Sequence, residues 1–127
     1  MEPLFVSFDQ VLRVHEESLR CYGGSAGLRD EGLLRSAVGQ PLNDFYYGRA
    51  DLFCVAAAYA YHIAQAQAFL DGNKRTAIST ALTFLEQNGV TTITGTPVLY
   101  DAMIAIAERR LDKAGLAAVF RELFGGG

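Results

Sequence analysis

The sequence predicts an all-α fold: one compact domain over residues 1–127, a bundle of about six helices with a phosphate-binding loop between the two central ones. Three observations carry this. Apolar residues recur at three- and four-residue spacing in segment after segment, Gly, Pro and Asn-Gly separate those segments, and only one short stretch reads as extended. Half of the 127 residues are hydrophobic and 20% are charged, an ordinary globular composition. A chain of this size buries a core without disulfides or metals.

The first helix lies in "SFDQVLRVHEESLR", with Val11, Leu12, Val14 and Leu19 at near-helical spacing and Ser7 or Asp9 as caps. It ends where Gly23, Gly24 and Gly27 interrupt the pattern. Asp30 can cap a short second helix, "EGLLRSAVGQ", ended by Gly39 and Pro41, and "PLNDFYYGRA" then shows no clear period. From Asp51 to Ala66 the chain is apolar nearly all round, with alanines surrounding Phe53, Val55, Tyr59 and Ile63. Such a helix belongs at the centre, its small residues admitting close neighbours. The next helix, Asn73 to Gln87, carries Ala77, Ile78, Ala81, Leu82 and Leu85 as a core-facing stripe and stops at "NGV". "TTIT" reads as a brief extended piece. Helices in "TPVLYDAMIAIAERR", capped by Thr96 with Pro97 at its first position, and in "KAGLAAVFRELF" complete the set, and the terminal "GGG" is expected to fray.

Net charge is −3 and the pI about 5.3, which argues against direct nucleic-acid binding. The longest mainly apolar run, Leu52 to Ala60, is too short for a bilayer, and "MEPLFVSFDQ" lacks the basic start and apolar core of a signal peptide. Cys21 and Cys54 sit in apolar helical settings and read as buried, reduced thiols. A cytoplasmic protein without membrane contact is the expectation.

The chemistry concentrates in "AQAFLDGNKRTA", Ala66 to Ala77, between the two central helices. "DGNKR" opens the second of these, where the first backbone N–H groups have no internal partner and the macrodipole leaves partial positive charge. That is a ready anion site. Gly72 lets a ligand approach the backbone, Lys74 and Arg75 add a point charge and a bidentate fork, and Asp71 can hold Mg²⁺ together with substrate phosphates. Asn73 can orient a phosphate oxygen or a metal-bound water. Spacing alone leaves a plainer reading open, with Asp71 as the N-cap and both cations in solvent.

"FLDGNKRTA" resembles the signature of the Fic/Doc superfamily, His-Pro-Phe-x-Asp-Gly-Asn-(Gly or Lys)-Arg. The likeness continues through "YGGSAGLRDEGLLRSAV", "ADLFCVAAAYAYHIAQ" and "TAISTALTFLEQNGV", in the order and spacing of the death-on-curing (Doc) branch. The resemblance implies a toxin of a toxin–antitoxin pair. Such a protein uses ATP as substrate and Mg²⁺ to transfer a phosphate-containing group to a hydroxyl of a target protein of the translation elongation factor class, and a small antitoxin neutralises it. By the same resemblance Asp71 holds Mg²⁺, Gly72 and Asn73 form part of the anion cradle, and Arg75 clamps phosphate. Lys74 stands where AMP-transferring members carry glycine, so phosphorylation is implied over AMP transfer.

One departure matters. The family's Asn-His-Pro-Phe reads Ala66-Gln67-Ala68-Phe69, so Gln67 falls at the position of the general base, and Ala68 replaces a stiffening proline. A matched base contributes about 10²–10⁴-fold in rate, and glutamine, which does not titrate near neutral pH, cannot take the proton. The chain is then a silent relative that still binds nucleotide, a slow phosphotransferase relying on positioning, or an enzyme whose base lies elsewhere. His62 is five residues before Gln67 and on another side of its helix, so it reads as a satisfied core residue, and His15 as a partly buried or surface one. Phe45, Tyr46 and Tyr47 either form a flap that grips a target chain or cover the core. In "RDEG" Asp30 reads as a cap, and Tyr59 and Phe69 read as core.

Overall fold

The computed structural model describes residues 2–92 and 97–125, and it is all-helical there, with no strand among the described residues. Six helices follow in order: α1 (Phe8–Tyr22), α2 (Glu31–Gly48), α3 (Leu52–Ala66), α4 (Asn73–Gln87), α5 (Pro97–Ala107) and α6 (Lys113–Phe124). As its composition dictates, α3 is the axis, packed against α2, α4, α5 and α6. Val55 to Ala60 are all buried, and the run Ala56, Ala57, Ala58, Ala60 brings neighbouring backbones close. Tyr59 lies in the core, as expected. Its hydroxyl donates to the Val6 carbonyl (3.1 Å) and accepts from the Val6 N–H (2.9 Å), which pins the N-terminal segment, and burial pushes the phenol far above its usual range.

Ser7, rather than Asp9, caps α1, and with Gln10 it forms a reciprocal capping box. Asp30 caps α2 through the Leu33 N–H. Asp51 caps α3 and Asp112 caps α6 in the same way.

Several expectations are corrected. The second helix does not stop at Gly39 and Pro41 but runs on to Gly48, with Pro41 inside it. Leu34, Ala37, Val38 and Pro41 make a buried stripe against α3, and this packing outweighs the one backbone bond that proline forfeits. Phe45 continues the stripe and meets Phe5 edge-on at 5.7 Å, so it covers the core. Tyr46 donates to Glu2 (2.8 Å), and Tyr47 stands in solvent. All three precede the start of α3, whereas the motif follows its end, about 22 Å away for a 15-residue helix. They form no flap over the motif.

Helix α5 ends at Ala107, three residues short of expectation. Arg109 takes a left-handed conformation (φ 62°), and the N–H groups of Arg110 and Leu111 close onto the Ala105 carbonyl. Cys21 is exposed instead of buried, because the last turn of α1 presents it to solvent, and Cys54 is half-buried; both thiols are free. Thr91 and Thr92 form no strand, and Thr92 donates to Glu86 (2.6 Å). The rest of "TTIT", the Thr96 cap and the last two glycines lie outside the described residues. No described helix is long and apolar enough to cross a membrane.

Candidate functional site

The α3–α4 connection is short because each end is held. Helix α3 ends at Ala66, and Gln67 follows in a left-handed conformation (φ 50°, ψ 40°). Its side chain is exposed, while its carbonyl accepts from the Arg29 guanidinium at 2.6 Å. Ala68 and Phe69 are buried, and the Ala68 carbonyl accepts from the Arg29 and Asp30 N–H groups (2.7 and 3.1 Å). Leu70 N–H donates to the Gly27 carbonyl (3.0 Å), giving an antiparallel bridge between Leu28 and Phe69. The glycine-rich α1–α2 loop therefore lies alongside the motif.

His15 and Asn73 complete the frame. The His15 ring is buried and stacked on Phe69, centroids 3.7 Å apart and planes 13° from parallel. Its Nε2 sits 2.8 Å from the Asp71 carbonyl, and since a carbonyl only accepts, that nitrogen carries the hydrogen. The Asn73 amide faces inward: Oδ1 accepts from the Phe69 N–H (3.0 Å) and Nδ2 donates to the Phe69 carbonyl (2.9 Å). Two of its four hydrogen-bonding positions are thus committed to the loop.

The plainer reading of Asp71 as N-cap also fails. Gly72 is the N-cap of α4, at φ 78°, and no side chain caps this helix. The leading N–H groups of α4 stay open toward the cleft. Asp71 instead faces the α1–α2 loop, with Oδ2 accepting from the Ser25 N–H (3.2 Å) and Oδ1 from the Gly72 N–H (2.9 Å). Gly24 is required beside it: at φ 120° a Cβ there would lie 2.7 Å from Asp71 Oδ2. Each Asp71 oxygen keeps a further lone pair, so the exposed carboxylate can hold a divalent cation that is also bound by phosphate. Among the described residues no group of three or more His, Cys, Asp or Glu side chains could hold a metal by itself.

Lys74 and Arg75 are exposed, and the Arg75 guanidinium lies 4.3 Å over the Tyr22 ring. Gln67, Asp71, Gly72, Asn73, Lys74 and Arg75 all line one cleft of about 640 Å³, whose far wall is α5 with Tyr100 and Met103. Every site residue singled out in the sequence converges there. A second groove of about 630 Å³ between α1, α4 and α5 meets the motif only at Arg75.

Neither histidine reaches this cleft as a base. His62 is half-buried and does not line the cleft; Lys113 Nζ lies 3.1 Å from its Nε2 and 2.7 Å from Asp44. Burial and the Lys113 charge lower its pKa, with Asp44 opposing. The frame residues His15, Arg29, Gly24 and Ser25 were not anticipated as parts of the site. Val11, His15 and Ser18 share the buried stripe of α1, and that spacing is the one signal that could have placed His15 inside.

An uncapped helix N-terminus, a framed loop, one carboxylate and two cations thus meet over one cleft beside α4. The profile of the Fic/DOC family matches residues 5–85, most of the chain, and the chain belongs to that family. It is similar to "Protein kinase doc" of Escherichia phage P1, 32% identical over 121 residues, 94% of this chain and 95% of that protein. It is also similar to "Toxin Doc" of Mycolicibacterium smegmatis, 40% identical over 103 residues, 76% of this chain and 78% of that protein. Membership in the death-on-curing branch, expected from the motif, is therefore met.

Proposed function

We propose that this chain is a cytoplasmic Doc-type toxin that binds Mg²⁺-ATP at the N-terminus of α4 and directs phosphoryl transfer to a hydroxyl of a target protein, with turnover slowed by Gln67. The observation that carries the reading is the uncapped start of α4, where Lys74 and Arg75 stand exposed beside Asp71 in one cleft. Triphosphate charge is matched there by helix amides, a point charge and a guanidinium fork. Asp71 is the residue that would hold Mg²⁺, whose chemistry there is to neutralise charge on the phosphate oxygens.

In the transfer, the acceptor hydroxyl oxygen forms a bond to the γ-phosphorus, the bond to the bridging oxygen breaks, and ADP leaves with that electron pair. The hydroxyl proton passes to an oxygen of the transferred phosphoryl group and from there to water. Gln67 can accept a hydrogen bond from that hydroxyl and align it, but it cannot keep the proton. Positioning and charge stabilisation do most of the work in phosphoryl transfer, so a residual rate about 10²–10⁴-fold below that of a histidine-bearing site is the expectation. Lys74 favours γ-phosphoryl over AMP transfer, following the resemblance. The same resemblance supports an acceptor of the translation elongation factor class and a small antitoxin partner.

A second reading has its own observation. Gln67 is held in a left-handed turn by Arg29, a defined conformation that asks for no proton transfer. On that reading the chain is a non-catalytic nucleotide- or antitoxin-binding relative.

Two measurements test these readings. Mg²⁺-ATP at about 100 times its dissociation constant should stabilise the protein by about 2.7 kcal/mol, and Lys74→Ala with Arg75→Ala should abolish that; no shift in the parent at millimolar ATP refutes the nucleotide site. Mass spectrometry of a bacterial lysate treated with protein and Mg²⁺-ATP, with Gln67→His run alongside, separates the rest. A phosphoryl increment from the parent supports a working kinase, one from the histidine variant alone supports the silent relative, and an AMP increment overturns the phosphoryl assignment.

A further inference from the structure

The motif cleft does not end at α4. It continues along the seam between α3 and α5, past Gln65 and Ile106, into a second depression of about 560 Å³ formed by Tyr61 and the α5–α6 turn. Gln65 and Ile106 line both spaces, so the two form one groove. From Gln67 to Tyr61 it advances about 9 Å along α3, three residues of extended chain.

The charge along this groove is uneven. Of the chain's eleven Lys and Arg residues, five are ion-paired among the described residues. Of the other six, Lys74, Arg75 and Arg109 all line this groove, in a chain of net charge −3. Arg110 joins them and shares its charge with Glu108 at 2.6 Å. Asp112 also lines the far end, its carboxylate held by the Gly115 N–H at 2.7 Å. Arg109 is the most telling position. It occupies the turn after α5 with φ 62°, where glycine or asparagine closes a helix at lower cost. A cation suits a helix C-terminus, but that does not require arginine at the one residue with left-handed backbone.

We infer that the Arg109–Arg110 end of the groove binds an acidic segment of the acceptor protein, beside the hydroxyl presented at Gln67. The inference rests on the phosphotransferase-fold reading above and adds a substrate preference to it. Charge complementarity selects the occupant. The nucleotide's phosphates are matched at α4, and the guanidiniums lie beyond Gln65 and Ile106, where an extended acceptor chain running along α3 would place its flanking side chains. Carboxylates there meet a guanidinium fork in the geometry it favours.

The test uses the whole chain with saturating Mg²⁺-ATP and two fluorescein-labelled peptides, each with one threonine flanked by several glutamates or by several lysines. Anisotropy should show the acidic peptide binding about tenfold tighter, with the preference weakening as salt is raised. Arg109→Gly suits the left-handed backbone and removes the cation, so it should keep the fold and the Mg²⁺-ATP thermal shift while losing about tenfold in acidic-peptide affinity. Arg109→Glu with Arg110→Glu should reverse the preference. Equal binding of the two peptides, binding untouched by Arg109→Gly, or an acidic peptide displaced competitively by ATP overturns the inference. A parent protein with no Mg²⁺-ATP shift that still binds the acidic peptide through Arg109 would instead sink the nucleotide reading and leave the acidic-segment site standing.

Discussion

Replacing Asn73 by alanine separates a structural role from a ligand-binding one. The Asn73 amide makes two hydrogen bonds to the backbone of Phe69, at 3.0 and 2.9 Å, and Phe69 is 1% exposed. Asn73→Ala leaves that N–H and C=O without partners and with little access to water. Each orphaned buried group costs about 1–3 kcal/mol, and alanine's better helix propensity returns only about 0.6 kcal/mol. The net loss is about 1.5–5.5 kcal/mol, a large share of the roughly 5–15 kcal/mol of a typical domain. At about 4 °C per kcal/mol for a chain of this size, the midpoint should fall by roughly 6–22 °C. The assay is urea and thermal unfolding without nucleotide, with Asn73→Asp alongside. Aspartate keeps the acceptor for the Phe69 N–H and loses the donor, so it should recover part of the loss. A change below about 0.5 kcal/mol in nucleotide-free Asn73→Ala, within ordinary surface effects, would refute the view that this side chain builds the loop.

Further outcomes follow from the same geometry. Gly24→Ala would set a Cβ 2.7 Å from Asp71 Oδ2 at φ 120°, so it should destabilise by about 1–2 kcal/mol or more and shrink the Mg²⁺-ATP thermal shift. Thr80 is fully buried and its hydroxyl has no partner, so Thr80→Val should raise stability by about 1 kcal/mol in urea unfolding. His62 has its pKa lowered by burial and by Lys113, below the unfolded value of about 6.5. Between those two values the unfolded chain binds the extra proton. Stability present above about pH 6.5 is therefore lost as pH falls through that window and levels off below the folded pKa. A His62→Gln variant should show a flatter stability profile between about pH 7 and pH 5 than the parent.

Much of the fold was legible because local chemistry and tertiary packing agree. Ser7, Asp30 and Asp51 cap helices wherever a short polar side chain precedes an apolar period, and the alanine-rich stretch from 51 to 66 had few places to go but the centre. The misreadings occur where the two conflict. Pro41 and Gly39 argue locally for a stop, yet the stripe from Leu34 to Phe45 has a face of α3 to cover, and burial prevails over propensity. The stretch from Glu108 to Arg110 reads locally as helix, and the turn into α6 takes Arg109 left-handed.

At the site the division is sharper. The sequence by itself determined which groups converge, because "DGNKR" is contiguous and any helix beginning there presents its amides, Lys74 and Arg75 together. It also determined that Gln67 offers hydrogen bonds in place of a base. Only the tertiary structure decided how the loop is held, since His15, Arg29 and Gly24 lie 38 to 56 residues from their partners. It likewise decided that Asn73 serves the loop and that α5 closes the cleft. These are long-range contacts: whether a side chain faces solvent, a ligand or another backbone depends on what chain folding brings opposite it, and no local pattern carries that information.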